Sequence, residues 1–128
     1  MWTWEQSTGQ FYDAEMQPVG PPGYSGHGLG VNNPAMQADP DVGPIPCGLW
    51  QAVELLPESS HGPNAIRLEP CEGTNTFGRS GFFMHGDEIA HVGERLASLG
   101  CCVEFRLGRL TWWNSPDHFL NVVAQVAA

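Results

Sequence analysis

Between residues 18 and 48 the chain runs through Pro21-Pro22-Gly23-Tyr24-Ser25-Gly26, then Asn32-Asn33-Pro34, then Gly43-Pro44-Ile45-Pro46. Proline removes a backbone donor and fixes φ, while glycine is costly to order, so neither a long helix nor an unbroken strand can pass through this stretch. Tyr24, Met36 and Ile45 supply apolar anchors, which favours an ordered loop over a disordered linker. Loops of this length are uncommon unless they carry function. The same constraint holds throughout: sixteen glycines and eleven prolines in 128 residues call for short strands and many turns.

The remaining segments fit that expectation. Trp2 to Tyr12 alternates bulky apolar and polar residues around Ser7-Thr8-Gly9, the pattern of a hairpin. Leu49–Leu56 and Ala65–Glu69 read as strands joined by a polar turn from Pro57 to Pro63. Gly81–His85 has the character of a fully buried third strand. Ile89, Val92 and Leu96 are spaced for a short helix or structured loop between Asp87 and Leu96, and Phe105–Trp113 can form a second short helix. His118–Val126 reads as a closing strand with Phe119, Val122 and Val123 as its apolar content. The expectation is one mainly β domain over residues 1–128, with one or two short helices.

Composition narrows the partners. The net charge is −9, with five arginines, no lysine and fourteen acidic residues. Polyanion binding needs clustered cations, and Arg67, Arg79, Arg95, Arg106 and Arg109 are too few and too scattered, which argues against nucleic acid and anionic membrane. The acidity serves solubility or, more specifically, a basic protein partner. No apolar run approaches the ~18 residues of a membrane span, so no membrane insertion is expected. Met1-Trp2-Thr3-Trp4-Glu5-Gln6 has neither a basic nor an apolar leader region, so no secretory signal peptide is expected there. Cys47, Cys71, Cys101 and Cys102 permit a Cys47–Cys71 or Cys71–Cys102 bridge in an oxidising compartment. Cys47, Cys71 and Cys102 read equally well as small buried apolar residues.

Chemistry concentrates in Gly78-Arg79-Ser80-Gly81-Phe82-Phe83-Met84-His85-Gly86-Asp87 and Ala97-Ser98-Leu99-Gly100-Cys101. His85 ends an apolar run, where a side chain can point into a cleft. Cys101 follows Gly100, whose missing side chain leaves room for a substrate carbonyl. A neighbouring imidazole lowers a thiol's pKa and can hold it as an ion pair. The N–H groups of Gly100 and Cys101 offer an oxyanion site, and Ser98 is placed to hydrogen-bond within it. His91 competes with His85 as the base, and Cys102 with Cys101 as the nucleophile. Cys102 is expected to face the core, because neighbours on an extended segment point opposite ways. Asp87 either positions His85 or caps a helix from Glu88. Arg79 and Arg106 either bind substrate carboxylates or make structural ion pairs. His27, His61 and His118 read as exposed loop or strand-end residues. Trp112-Trp113 reads as a core or edge pair before a sugar platform. No Cys-x-x-Cys or His-x-x-x-His pairing supports zinc, and no cofactor is expected.

These residues carry a resemblance. His85-Gly86 followed by Ser98-x-Gly100-Cys101 resembles the signature of L,D-transpeptidases of the YkuD type. The set Gly23-Tyr24-Ser25-Gly26, Asn32-Asn33-Pro34, Gly43-Pro44-Ile45-Pro46-x-Gly48, Gly78-Arg79-Ser80-Gly81-Phe82 and Arg106-x-x-Arg109 resembles the type VI secretion L,D-transpeptidase effector family over nearly the whole chain. The resemblance implies a YkuD-like β-sandwich or barrel-like domain, injected into the periplasm of a target bacterium. There it would remove D-Ala from meso-diaminopimelate on peptidoglycan tetrapeptide stems, or exchange that D-Ala for another D-amino acid. It implies Cys101 as nucleophile, His85 as base with its imidazole oriented by the Gly86 carbonyl, Ser98 and Gly100 in the catalytic turn, and Tyr24, Arg79, Asp87 and Arg106 around the substrate. It also implies type VI delivery components and a cognate immunity protein occluding the cleft. Two positions depart from the family pattern: Leu99 stands where a second His is frequent, and Cys102 replaces an aliphatic residue. Rival readings are a wall-binding or phage structural module of the same fold, and a cytoplasmic thiol hydrolase.

Overall fold

The structure, a computed structural model, describes residues 1–87 and 98–126. Its strands are β1 (Trp2–Glu5), β2 (Gln10–Tyr12), β3 (Tyr24–Ser25), β4 (Gly48–Leu56), β5 (Ala65–Pro70), β6 (Phe83–His85), β7 (Cys102–Val103) and β8 (Phe119–Val123), with one helix, α1 (Arg106–Trp113), among the described residues. All eight strands form one sheet in the order β2-β1-β8-β4-β5-β6-β7-β3. Neighbours are antiparallel except β1–β8 and β6–β7, which are parallel.

The sheet curls into a nearly closed, mainly β barrel. Its two ends meet where the Gly23 N–H, just before β3, donates to the carbonyl of Gly9 in the β1–β2 turn at 2.8 Å. Only residues without a Cβ permit that approach. A Cβ on Gly23 would stand 1.8 Å from the Val103 carbonyl oxygen, and one on Gly9 would stand 2.1 Å from that of Gly23.

Alternation along the strands fills the interior. Trp2 and Trp4 of β1, Phe11 of β2, Trp50 and Ala52 of β4, Ile66 and Leu68 of β5, Met84 of β6 and Leu120 and Val122 of β8 share one core. The helix α1 packs on β5 and β6 and sends Trp112 into that core, edge-on to Phe11 at 5.6 Å. Burying this much aromatic surface is the main favourable contribution to folding.

The hairpin, β4, β5 and α1 lie where the residue pattern puts them. Three expectations need correction. The buried run at 81–85 is a strand only from Phe83, because Gly81 has a φ of +77° and leaves the extended region, and Phe83 is half-buried rather than buried. In β8 the inward residues are Leu120 and Val122, while Phe119 is exposed: register with β4, Trp50 opposite Leu120, sets the face. All four cysteines are free thiols, and Cys47 and Cys71 are only half-buried, so neither bridge nor full burial describes that pair. The loop from 18 to 48 is ordered by the short strand β3 and by 3-10 turns at Gly28–Gly30 and Pro34–Met36. The helix or loop expected between Asp87 and Leu96, and with it His91, lies outside the described residues.

Closure through Gly23 predicts that Gly23→Ala costs about 3 kcal/mol, the upper range for overpacking, because backbone rather than a flexible side chain must yield. Gly73→Ala, at a positive φ of +89° but with nothing within 4 Å, is expected to cost about 1 kcal/mol. Urea unfolding of the two variants gives the comparison, and equal losses would contradict this account of closure.

Candidate active site

The parallel β6–β7 ladder sets Met84 opposite Cys102 and His85 opposite Val103. Side chains alternate across a sheet, so Met84 and Cys102 turn inward, and both are fully buried in the core. His85 and Cys101 fall on the other face and line one cleft of about 1320 Å³. Its walls come from the segments 40–41, 60–63, 78–82, 85–87 and 99–101 and from the start of α1. Of the two adjacent cysteines, Cys101 is therefore the one presented to the cleft.

The His85 ring nitrogen Nδ1 lies 2.8 Å from the Gly86 carbonyl oxygen. A carbonyl only accepts, so Nδ1 carries the proton and Nε2 keeps the lone pair. Burial pushes this imidazole below its ordinary pKa; His61 and Arg109 act in the same direction, against the Gly86 carbonyl and Asp87. Burial likewise pushes the Cys101 thiol up, against the Phe83 N–H and Arg79. Both shifts favour the neutral forms over the ion pair expected from the sequence. The thiol accepts from Phe83 N at 3.3 Å and makes a long contact to the Gly81 carbonyl at 3.7 Å. It makes no hydrogen bond to the imidazole among the described residues.

The turn before the thiol is braced from behind. Ser98 is fully buried; its hydroxyl donates to the Cys101 carbonyl at 2.7 Å and accepts from the N–H groups of Gly26 and Gly100, each at 3.0 Å. Ser98 therefore shapes the turn from outside the cleft, and the Gly100 N–H, already occupied, leaves Cys101 N–H as the oxyanion donor of the expected pair. Ser25 adds a second brace that sequence reasoning did not single out: its hydroxyl donates to the Gly100 carbonyl at 2.8 Å and accepts from Ile45 N at 2.9 Å. Gly100 itself, at a φ of +140°, makes room not for substrate but for Arg79, whose Nη2 would stand 2.4 Å from an added Cβ.

Of the two roles open to Arg79, its contacts are structural, made to backbone carbonyls rather than to an acidic partner. Its guanidinium is buried and donates to the carbonyls of Gln37, Pro44, Gly43 and Leu99 at 2.6, 2.8, 2.9 and 3.3 Å. Those four bonds commit its terminal N–H groups to the walls. Tyr24 is also buried and away from the cleft lining; its hydroxyl donates to Asp87 at 2.7 Å. Asp87 does line the cleft, while Glu88, where a helix was expected to begin, lies outside the described residues. Arg106 is exposed at the cleft wall, as a carboxylate-binding cation requires. Among the other residues weighed, Trp112 is in the core, Trp113 stacks on half-buried His118 at 4.5 Å, and His27 is half-buried. His61 is exposed as expected, yet lines the cleft and stacks on His85. No short-range signal links residue 61 to residue 85; only the pairing of β5 with β6 brings them together.

Beneath the cleft, at the start of α1, two ionisable side chains are buried, Glu104 just before the helix and Arg109 within it. Arg109 donates to the carbonyls of Pro63 and Asn64 at 3.1 and 2.8 Å. Glu104 is fully buried with neither carboxyl oxygen hydrogen-bonded, and burial raises its pKa to about 9, against the pull of Arg109. A carboxyl whose folded pKa lies above its unfolded value stabilises fully below the unfolded value, and that contribution is lost as pH rises through about 9. Glu104→Gln is therefore expected to flatten the fall in melting temperature between acidic pH and pH 9. Parallel Tm-against-pH curves for the two proteins would show that Glu104 ionises normally.

No protein family, no curated protein and no solved structure matches this chain, so the geometry of the cleft carries the functional reading.

Proposed function

We propose that this protein is a cysteine L,D-carboxypeptidase, and D-amino-acid-exchanging L,D-transpeptidase, acting on peptidoglycan tetrapeptide stems within a YkuD-like barrel. The observation that carries the reading is the shared cleft of Cys101 and His85, with the imidazole fixed as the Nε2 base by Gly86. The sequence resemblance supplies the substrate.

In this reading the Cys101 sulfur attacks the diaminopimelate carbonyl while His85 Nε2 takes the thiol proton. The thiol first turns from the Gly81 carbonyl toward the imidazole, a single χ1 rotation. The tetrahedral oxyanion sits at Cys101 N–H. Its collapse breaks the C–N bond, and the proton on Nε2 passes to the departing D-Ala amine. The thioester that remains is then attacked by water, giving a tripeptide stem, or by a D-amino acid amine, giving the exchanged stem. In either case His85 accepts the proton of the attacking group and returns it to the sulfur as the C–S bond breaks, which restores the thiol and the neutral imidazole. Arg106 at the cleft wall meets a substrate carboxylate. Delivery by a type VI system into the periplasm of a target cell, and an immunity protein that covers the cleft, complete the proposal.

Incubation with purified tetrapeptide stems, followed by mass spectrometry, is expected to yield tripeptides and free D-Ala. Cys101→Ala abolishes the conversion, and His85→Ala lowers it about a hundredfold or more. Because burial depresses His85, the acid limb of kcat/KM falls below the ordinary imidazole value of about 6.5. Unaltered stems with the wild-type protein, or tripeptides still formed by Cys101→Ala, would refute the proposal. Toxicity on periplasmic but not cytoplasmic expression tests the site of action.

A further inference from the structure

The loop between β4 and β5 reads as an ordinary polar connection, yet it is built as a fixed roof. The Ser59 hydroxyl donates to the Gly62 carbonyl at 2.9 Å and accepts from His61 N at 3.1 Å, and Asn64 N donates to the Pro57 carbonyl at 3.2 Å. From below, the buried Arg109 holds the carbonyls of Pro63 and Asn64. Ser60, His61, Gly62 and Pro63 all line the cleft. The ring of His61 lies over two side chains of β6: Phe83, with centroids 4.5 Å apart, and His85, 5.2 Å apart and within 20° of parallel.

We propose that His61 is a positioning residue for the His85 base, its stacked ring fixing the plane of that imidazole so that the lone-pair nitrogen stays available to the thiol. The proposal rests on the reading of His85 as the base. Without the stack, the Nδ1 bond to the Gly86 carbonyl restrains one edge of the ring but leaves rotation about that bond. A second flat ring removes this freedom, and Phe83 beneath the same ring of His61 keeps the stack in register. The interaction is also electrostatic, since a charge on either ring opposes a charge on the other. Among the described residues, the ionisable groups around His85 are His61 from the β4–β5 loop, Arg109 from α1, Asp87 on its own segment and Cys101 in the same cleft. Glu104, whose N–H donates to the His85 carbonyl at 2.9 Å, reaches it through Arg109.

Two variants separate the stack from the charge. His61→Ala removes both, while His61→Phe keeps a flat ring and removes only the ionisable group. The first readout is the His85 imidazole titration followed by NMR, which needs no substrate. It is expected to move upward in His61→Ala, and upward also in His61→Phe. The second is D-Ala release: kcat falls about tenfold in His61→Ala, the order expected for a displaced reacting group, with KM nearly unchanged, and His61→Phe recovers most of the rate. An unmoved His85 titration in His61→Ala overturns the proposal. So does a full rate in that variant, or a loss confined to KM, which would mark His61 as a substrate contact. If the wild-type protein releases no D-Ala, the proposed activity fails by itself, and the titration still decides whether His61 governs His85.

Discussion

The position of the Cys101 thiol depends on one buried guanidinium. A cation removed from water is strongly destabilising unless its donors are met. Arg79 meets this demand with four backbone carbonyls, two from the turn at Gly43-Pro44 and the others from Gln37 and Leu99. Asp39 and Asp41 add a favourable field. Leu99 lies two residues before the thiol, so the same side chain ties the long Gly/Pro-rich loop to the turn that presents Cys101. Gly100 follows as a consequence, since any side chain there would collide with the guanidinium. Arg79 holds the wall in place, and Arg106 remains as the exposed cation that a substrate can reach.

Desolvation sets the chemistry of the pair. Both the thiol and the imidazole are buried enough to favour their neutral forms. In that state the thiol is a weak nucleophile, and the imidazole is a competent base with its donor edge already engaged by Gly86. In the proposed reaction the thiolate would form only as attack proceeds, when the tetrahedral oxyanion and the imidazolium compensate each other's charge. A standing ion pair would expose a reactive thiolate to any electrophile, whereas the proposed reaction, starting from the neutral forms that burial favours, would confine reactivity to ligands that fill the cleft.

The sequence made local structure legible and long-range structure much less so. Periodicity and turn residues located β1, β2, β4, β5 and α1, because each is fixed by its own alternation and its own breakers. The inward face of β8 followed instead from its register with β4, which no local pattern encodes. In the site, His85, Cys101 and the inward turn of Cys102 could be read from strand alternation and from the glycines beside them. Arg79, Ser98 and Tyr24 were legible as residues near the site but not in their roles. A guanidinium, a hydroxyl or a phenol looks the same in sequence whether it faces a ligand or a backbone carbonyl. His61 and Ser25 reach His85 and Gly100 across 24 and 75 residues of chain, respectively, and only the sheet order brings them into reach.

The prolines that rule out long helices also explain why this acidic chain buries two of the four arginines among its described residues. Each proline contributes a carbonyl but no N–H, so proline-rich segments carry more acceptors than donors. Between Gly43 and Pro46, four consecutive carbonyls are satisfied by side chains: Gly43 and Pro44 by Arg79, Ile45 by Gln6 and Pro46 by the Trp50 indole. The Pro63 and Asn64 carbonyls take their donors from Arg109 in the same way. Arginine suits this task because its planar fork carries five donors and stays charged when buried. The two loops stapled by these arginines are the ones that flank Cys101 and roof His85. The donor deficit of an irregular backbone is thus met by the same side chains that hold the walls around Cys101 and His85, which couples the stability of the loops to the geometry of the cleft.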